Sequence, residues 1–302
     1  TTVGIIMKIA LALILSIAVS TSLAFKLLAD SDTQVAPIAV FAGFGDDCRN
    51  PGMSRFAKFF GEGLNTTSKC IQIGSGAASS IFMSFEDQGK AACEEIAKDP
   101  IFDGEFSVVG NSQGGLIARY VVEKCQNLKG RVRNMATFGA PHFGVGKFPR
   151  CFKGIICDVL NYVVDFGVYW KMIQNHVGPA GYFRDAHHLD YYKDHSTFLP
   201  SINNEREFDQ EAYERMAGLN KVFLGMFSKD GMIYPPSSAW FNELRPDGSI
   251  LSFNQTELYS KDLLGLKTLY EEGRIVFHEF DGDHLQFSLD DVEEYVFPIL
   301  AS

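Results

Sequence analysis

The 302 residues hold no Cys-x-x-Cys pair and no cluster of Cys with His, so nothing in the chain has the spacing of a metal site. They hold no basic stripe either. With 27 Lys and Arg against 37 Asp and Glu, the net charge is −10, which argues against nucleic acid as a partner. Apolar runs are short: the longest, Ile9 to Val19, is 11 residues with Ser16 inside it, below the ~18–20 needed to span a bilayer. No internal repeat, low-complexity tract or Pro/Gly-rich linker marks a second domain. Met is absent from position 1, and Met7 is read as the start, with Thr1–Ile6 as upstream sequence.

What is present begins with a leader. Met7-Lys8, the apolar run and the small residues Ser20-Thr21-Ser22-Leu23-Ala24 read as a secretory signal peptide over residues 1–24, cleaved near Ala24. The rival, a membrane anchor, is too short. Residues 25–302 suffice for one α/β domain with a sizeable core. Six cysteines in a secreted chain imply three disulfides, among fifteen possible connectivities. Cys151 and Cys157 close a short loop. Cys93 and Cys125 fall on helices that can be neighbours in a doubly wound sheet, which leaves Cys48 for Cys70. Asn65-Thr66-Thr67 and Asn254-Gln255-Thr256 are glycosylation sequons.

The most informative stretch is Phe106 to Arg119, where an apolar strand turns through Gly110-Asn111-Ser112-Gln113-Gly114 into a helix. That is the G-x-S-x-G nucleophile elbow. Ser112 has to stand at the apex of a sharp turn. The two glycines remove Cβ atoms where strand and helix cross, and the helix points its first amides at a developing oxyanion. As a string of letters the pattern is weak, and a bland Gly-rich turn would also satisfy it. The strand before and the helix after, in register, give it force.

The rest of the chain keeps an α/β rhythm. Strand-like runs occur at Pro37–Phe41, Phe106–Val109, Asn134–Phe138, Val222–Phe227 and Arg274–Phe280, with helical periodicity at Met53–Glu62, Gly89–Lys98 and Leu116–Gln126. Short, wholly apolar strands between helices predict a mostly parallel sheet covered on both faces, with chemistry at the strands' carboxyl ends. At two such ends lie Ser228-Lys229-Asp230 and Asp281-Gly282-Asp283-His284. The order serine, acid, histidine is that of the α/β-hydrolase fold. His284 is thus the candidate base and Asp230 its orienting acid. Asp281 and Asp283 sit in the histidine's own loop, where bending back onto their neighbour is awkward. Behind the first strand, Gly43-Phe44-Gly45-Asp46 offers the Phe44 N–H as a partner to the Gln113 N–H in an oxyanion hole.

Beyond these motifs, the chain resembles the palmitoyl-protein thioesterase family, lysosomal serine hydrolases that remove fatty acyl groups from cysteine. The similarity is carried by Gly43-Phe44-Gly45-Asp46-Asp47-Cys48, the elbow with Gly115, Pro149-Arg150-Cys151, and His195-Ser196-Thr197-Phe198-Leu199. It continues through Ile202-Asn203-Asn204-Glu205-Arg206, Trp240-Phe241, Leu258-Tyr259, Leu264-Gly265-Leu266-Lys267 and Gly282-Asp283-His284-Leu285. The resemblance implies Ser112, Asp230 and His284 as the triad, and disulfides Cys93–Cys125 and Cys151–Cys157. It departs at Arg49, where the family has a second cysteine, and at Ala42, where it has histidine.

The resemblance also implies a helical insert at about 145–220 that caps the sheet and holds the acyl chain, with Tyr169, Trp170 and Ile173 as binding residues. Apolar periodicity alone would make that stripe core. His176, His187, His188 and His195, in or near the insert, are read as surface or structural. The implied activity is hydrolysis of S-palmitoyl cysteine in proteins, without metal or other cofactor, in the lysosome or vacuole. No stable membrane span is expected, and nothing bears on oligomeric state. Two other readings stand beside it: a lipase or carboxylesterase acting on oxygen esters, since Gly139-Ala140-Pro141-His142-Phe143-Gly144 resembles lipases, and a non-catalytic lipid-binding domain.

Overall fold

Side chains alternate along the first strand: Ile38 and Val40 enter one packed cluster, Ala39 and Phe41 another, and all four are fully buried. A strand buried on both faces needs helices on both sides. That is the arrangement in a computed structural model of the chain, which describes residues 34–147 and 167–302. Within them Val35–Ser302 forms one unit.

The elements run β1 (Ile38–Phe41), α1 (Pro51–Gly63), β2 (Ser68–Cys70), α2 (Ala77–Phe82), α3 (Phe85–Ala97), β3 (Glu105–Asn111), α4 (Gln113–Lys124) and β4 (Arg131–Phe138). After residue 166 come the short helices α5 (Lys171–His176), α6 (Leu189–His195), α7 (Leu199–Ile202) and α8 (Gln210–Ala217). They are followed by β5 (Lys221–Phe227), a small hairpin of β6 (Glu243–Leu244) and β7 (Ile250–Leu251), α9 (Glu257–Ser260), α10 (Leu266–Glu271), β8 (Ile275–Phe280), α11 (Leu289–Tyr295) and α12 (Phe297–Leu300).

The large sheet has six strands in the order β2-β1-β3-β4-β5-β8, every pair parallel. Together with the strand–turn–helix at Ser112, this is the α/β-hydrolase fold. Each strand expected from sequence is there. The polar edge strand β2 and the β6–β7 hairpin were not expected, because neither carries an apolar run. Helix α3 begins four residues before the expected Gly89, where the Ser84 hydroxyl accepts the Asp87 N–H at 3.1 Å and caps it. Helix α4 begins at Gln113 rather than Leu116, so Gly114 and Gly115 lie inside it.

Two disulfides join Cys48 to Cys70 and Cys93 to Cys125, with Cα atoms 5.6 and 5.4 Å apart. The second ties α3 to the end of α4. Cys151, Cys157, the leader over 1–24 and the stripe up to residue 166 lie outside the described residues. Asn65 and Asn254 are both exposed, while Thr256 of the second sequon is buried and caps α9 by accepting the Tyr259 N–H. No described helix is long and apolar enough to cross a membrane.

The Cys93–Cys125 bridge spans 32 residues of sequence. Closing a loop of that size removes unfolded-state entropy worth ~3–4 kcal/mol. Converting both cysteines to alanine should therefore lower Tm by about 10 °C in calorimetry. An unchanged Tm would show that the bridge adds nothing to packing already in place.

Candidate active site

The elbow is built where β3 runs into α4. A Cβ on Gly110 would stand 2.3 Å from Gly114 O, and one on Gly114 would stand 2.4 Å from Phe41 O. Only glycine permits both approaches. They press the end of β1 against the start of α4 and leave Ser112 at φ +52°, a left-handed conformation rare for a residue with a side chain. The Ser112 N–H is held by Phe138 O at 2.7 Å, which fixes the turn to β4.

Two loops at neighbouring strand ends then converge on the serine. His284 follows β8, and its Nε2 lies 2.8 Å from Ser112 Oγ. Its Nδ1 lies 2.7 Å from Asp230 Oδ2, in the loop after β5. A carboxylate can only accept, so the proton between them sits on Nδ1, and Nε2 is left to accept the Ser112 hydroxyl proton. Asp230 is itself held in place. Its Oδ1 accepts the Met232 and Ile233 N–H groups, both at 2.8 Å, and its side chain is 1 % exposed.

The rejected acids occupy other positions. Asp283 does bend back, but onto backbone: its Oδ1 accepts Gly231 N–H at 2.8 Å and His284 N–H at 2.7 Å. Those two amides, the Gly231 one foremost, hold its carboxyl below the ordinary carboxylate range. Asp281 pairs with Lys229 at 2.8 Å and accepts from Ser228.

On the other side of the serine runs the loop after β1. A Cβ on Gly43 would stand 3.3 Å from Ser112 Cβ, so this loop packs against Ser112. Among the described residues neither Phe44 N–H nor Gln113 N–H meets an acceptor, whereas the next amide, Gly45 N–H, is taken by Ser80 Oγ at 2.8 Å. The Gln113 side chain is buried and fully engaged. It donates to Ser80 O at 2.9 Å and Gln88 Oε1 at 3.0 Å, and accepts from Tyr182 OH at 3.0 Å. Burial pushes the Tyr182 phenol far up, so it remains a donor. Asp47 accepts from Arg49, which holds its carboxyl far below its usual range, and reaches the Ala77 N–H at 3.4 Å. Sequence reasoning singled out none of Ser80, Gln88 and Tyr182, because single serines, glutamines and tyrosines carry no spacing.

The three proposed acyl contacts separate. Tyr169 and Trp170 line a cavity of about 510 Å³ with Gly167, Val168, Phe183 and Tyr191. Trp170 is 57 % exposed, and Tyr169 is buried with its hydroxyl on Asp185 N and Phe183 O. Ile173 faces elsewhere, packed at 2 % exposure with Val177 and Ala180. His176, His187, His188 and His195 are all exposed, His188 beside Asp185 and His195 stacked on Tyr191. His142 is buried. It stacks on Phe241 and meets Thr137 Oγ1 at 2.9 Å, and burial depresses its pKa so that it stays neutral. Among the described residues no three of His, Cys, Asp and Glu lie together as a metal site.

Comparison with known proteins adds kinship to geometry. The sequence model of the family described as "Palmitoyl protein thioesterase" matches residues 37–284. The chain is 34 % identical over 264 residues to Palmitoyl-protein thioesterase 1 of Caenorhabditis elegans, covering 84 % of this chain and 88 % of that one. It is 33 % identical over 225 residues to Palmitoyl-protein thioesterase 3 of Dictyostelium discoideum, covering 73 % and 75 %. The Lysosomal thioesterase PPT2 homolog of Drosophila melanogaster is 26 % identical over 219 residues, covering 71 % and 74 %.

Proposed function

The chain belongs to the palmitoyl-protein thioesterase family, and from that premise we propose that it hydrolyses the thioester between a long fatty acyl chain and a protein cysteine. The observation that carries this reading is the run of two hydrogen bonds, 2.8 and 2.7 Å, from Ser112 through His284 to Asp230. Ser112 Oγ attacks the thioester carbonyl as His284 Nε2 takes its proton. Asp230 holds the imidazole and stabilises its charged form. The carbonyl oxygen becomes an oxyanion, accepted by the Phe44 and Gln113 amides. Collapse expels the cysteine sulfur, which leaves with the proton from His284 and frees the protein. Water, activated by His284, then attacks the acyl-serine and releases the fatty acid. No metal or other cofactor enters. A thiol of pKa ~8.5 is a good leaving group, so a thioester asks little of the acid.

The insert at about 145–220 supplies the acyl site. Its cavity beside Tyr169 and Trp170 has a volume in the ordinary range for ligand sites. Phe183 in its wall follows directly on Tyr182, which is bonded to Gln113 beside the nucleophile. Two disulfides fit an oxidising compartment, so we place the enzyme in the secretory pathway, with a leader over residues 1–24 and the lysosome as its destination.

Measuring turnover of an S-palmitoyl cysteine peptide beside its O-palmitoyl serine counterpart tests the reaction class. The thioester should be preferred at least tenfold in kcat/KM. Faster oxygen-ester turnover would make the chain an esterase.

A pair of insert variants tests the acyl site. Losing contact with even three methylenes, at ~0.8 kcal/mol each, weakens binding about fifty-fold. Trp170→Asp should thus raise KM steeply for sixteen-carbon thioesters and little for butyryl ones, with Tm unchanged. Ile173→Asp buries a charge in packed interior, so it should lower Tm and depress activity on all chain lengths together. Uniform loss across chain lengths in Trp170→Asp would remove Trp170 from the acyl site.

A further inference from the structure

We propose that Ser80 is a positioning residue that sets the gap between the two oxyanion donors, an inference that rests on the function proposed above. Its hydroxyl accepts the Gly45 N–H at 2.8 Å and donates to Ala77 O at 2.7 Å. Its carbonyl accepts the Gln113 side-chain amide at 2.9 Å and that of Gln88 at 3.3 Å. One residue of α2 therefore holds the loop after β1 through Oγ and the elbow through its main-chain oxygen. Those are the two elements whose amides face the reacting carbonyl.

The loop needs that hold. Asp46 N–H closes a turn onto Gly43 O at 3.2 Å, with Phe44 at its second position and Gly45 at its third, φ +71°. A positive φ there marks a type II turn, which differs from type I by a flip of the central Phe44–Gly45 peptide. Ser80 Oγ takes the N–H of that very peptide, so it fixes the peptide next to the donor one. The elbow side is over-determined, because Gln113 also meets Gln88 and Tyr182. Nearest the donor, the loop side has the Ser80 hydroxyl; its other holds, the Asp47–Ala77 contact, the Cys48 N–H on Gln72 Oε1 at 3.1 Å and the Cys48–Cys70 bridge, lie further along. Releasing the hydroxyl frees the donor to shift while everything around it stays in place.

A displaced donor costs less than a lost one, for which ~10²–10³ in kcat is usual. Ser80→Ala should lower kcat by about 10–100-fold. KM for the palmitoyl thioester should change less than about twofold, since the acyl site is untouched. Alanine suits a helix, so Tm should hold. The readout specific to positioning is inhibition by a long-chain trifluoromethyl ketone, whose adduct with Ser112 carries the oxyanion. Its Ki should rise by the same factor as kcat falls, and Ser80→Thr, which keeps a hydroxyl, should restore both. An unchanged kcat in Ser80→Ala overturns the inference, as does a fall in kcat with Ki unmoved or with early melting. The underlying reading fails separately, through a Ser112→Ala enzyme that still turns over.

Discussion

Ser112→Ala should leave a folded protein whose kcat on a palmitoyl thioester has dropped by ~10⁴ or more, with substrate binding retained. The hydroxyl faces His284 Nε2 at 2.8 Å, and the turn around it is held by backbone contacts that alanine keeps. Removing one oxygen at the apex opens no cavity in the core. Alanine keeps the Cβ and so the φ of +52° at position 112, and the variant should melt close to the parent's temperature. A fluorophosphonate should label Ser112 in the parent and nothing in the variant, by peptide mass spectrometry. Label on another serine would remove Ser112 from the mechanism.

The acid makes the second large effect, and the structure offers an internal control. Asp230→Asn should cost ~10⁴ in kcat, because an amide can donate to Nδ1 and so stabilise the tautomer that cannot accept the serine proton. Asp283→Asn should cost less than about tenfold. Asparagine keeps an oxygen where Asp283 Oδ1 now accepts the Gly231 and His284 amides, so the loop geometry survives. Two carboxylates one and fifty-four residues from His284 in sequence are thus assigned opposite weights. Steady-state kinetics on both variants decides between them. If Asp283→Asn is the crippled enzyme, the orienting acid is Asp283.

The residues that meet at this candidate site were legible in the chain because they occupy rule-bound places. A strand-to-helix turn this sharp announces itself by glycines whose Cβ atoms would have no room, as at Gly110 and Gly114. Asp230 and His284 follow apolar strands at the end where parallel sheets gather their chemistry. The strands of the sheet's middle were legible for a related reason: buried on both faces, they carry short apolar stretches such as Val108-Val109 and Val222-Phe223-Leu224. The edge strand Ser68-Lys69-Cys70 was not, since an edge needs no apolar run and its Lys69 forms a surface ion pair with Asp99.

Fine placement in the insert was also hidden. A stripe containing Tyr169, Trp170 and Ile173 shows that some face is buried, but not which residue turns inward, and only the packing separates exposed Trp170 from buried Ile173. Least legible was the network around Gln113. Its members Ser80, Gln88 and Tyr182 come from three elements up to 69 residues from Gln113, and meet only once the sheet has formed.

In the proposed reaction a thioester-bound acyl chain passes to Ser112 on its way to water. Rapid acid quench of the enzyme with an S-palmitoylated peptide, followed by peptide mass spectrometry, examines that step directly. Palmitate should appear in ester linkage on Ser112, with free peptide thiol released in step with its appearance. Palmitate on any other residue, or thiol release with Ser112 never acylated under any quench time, would contradict it.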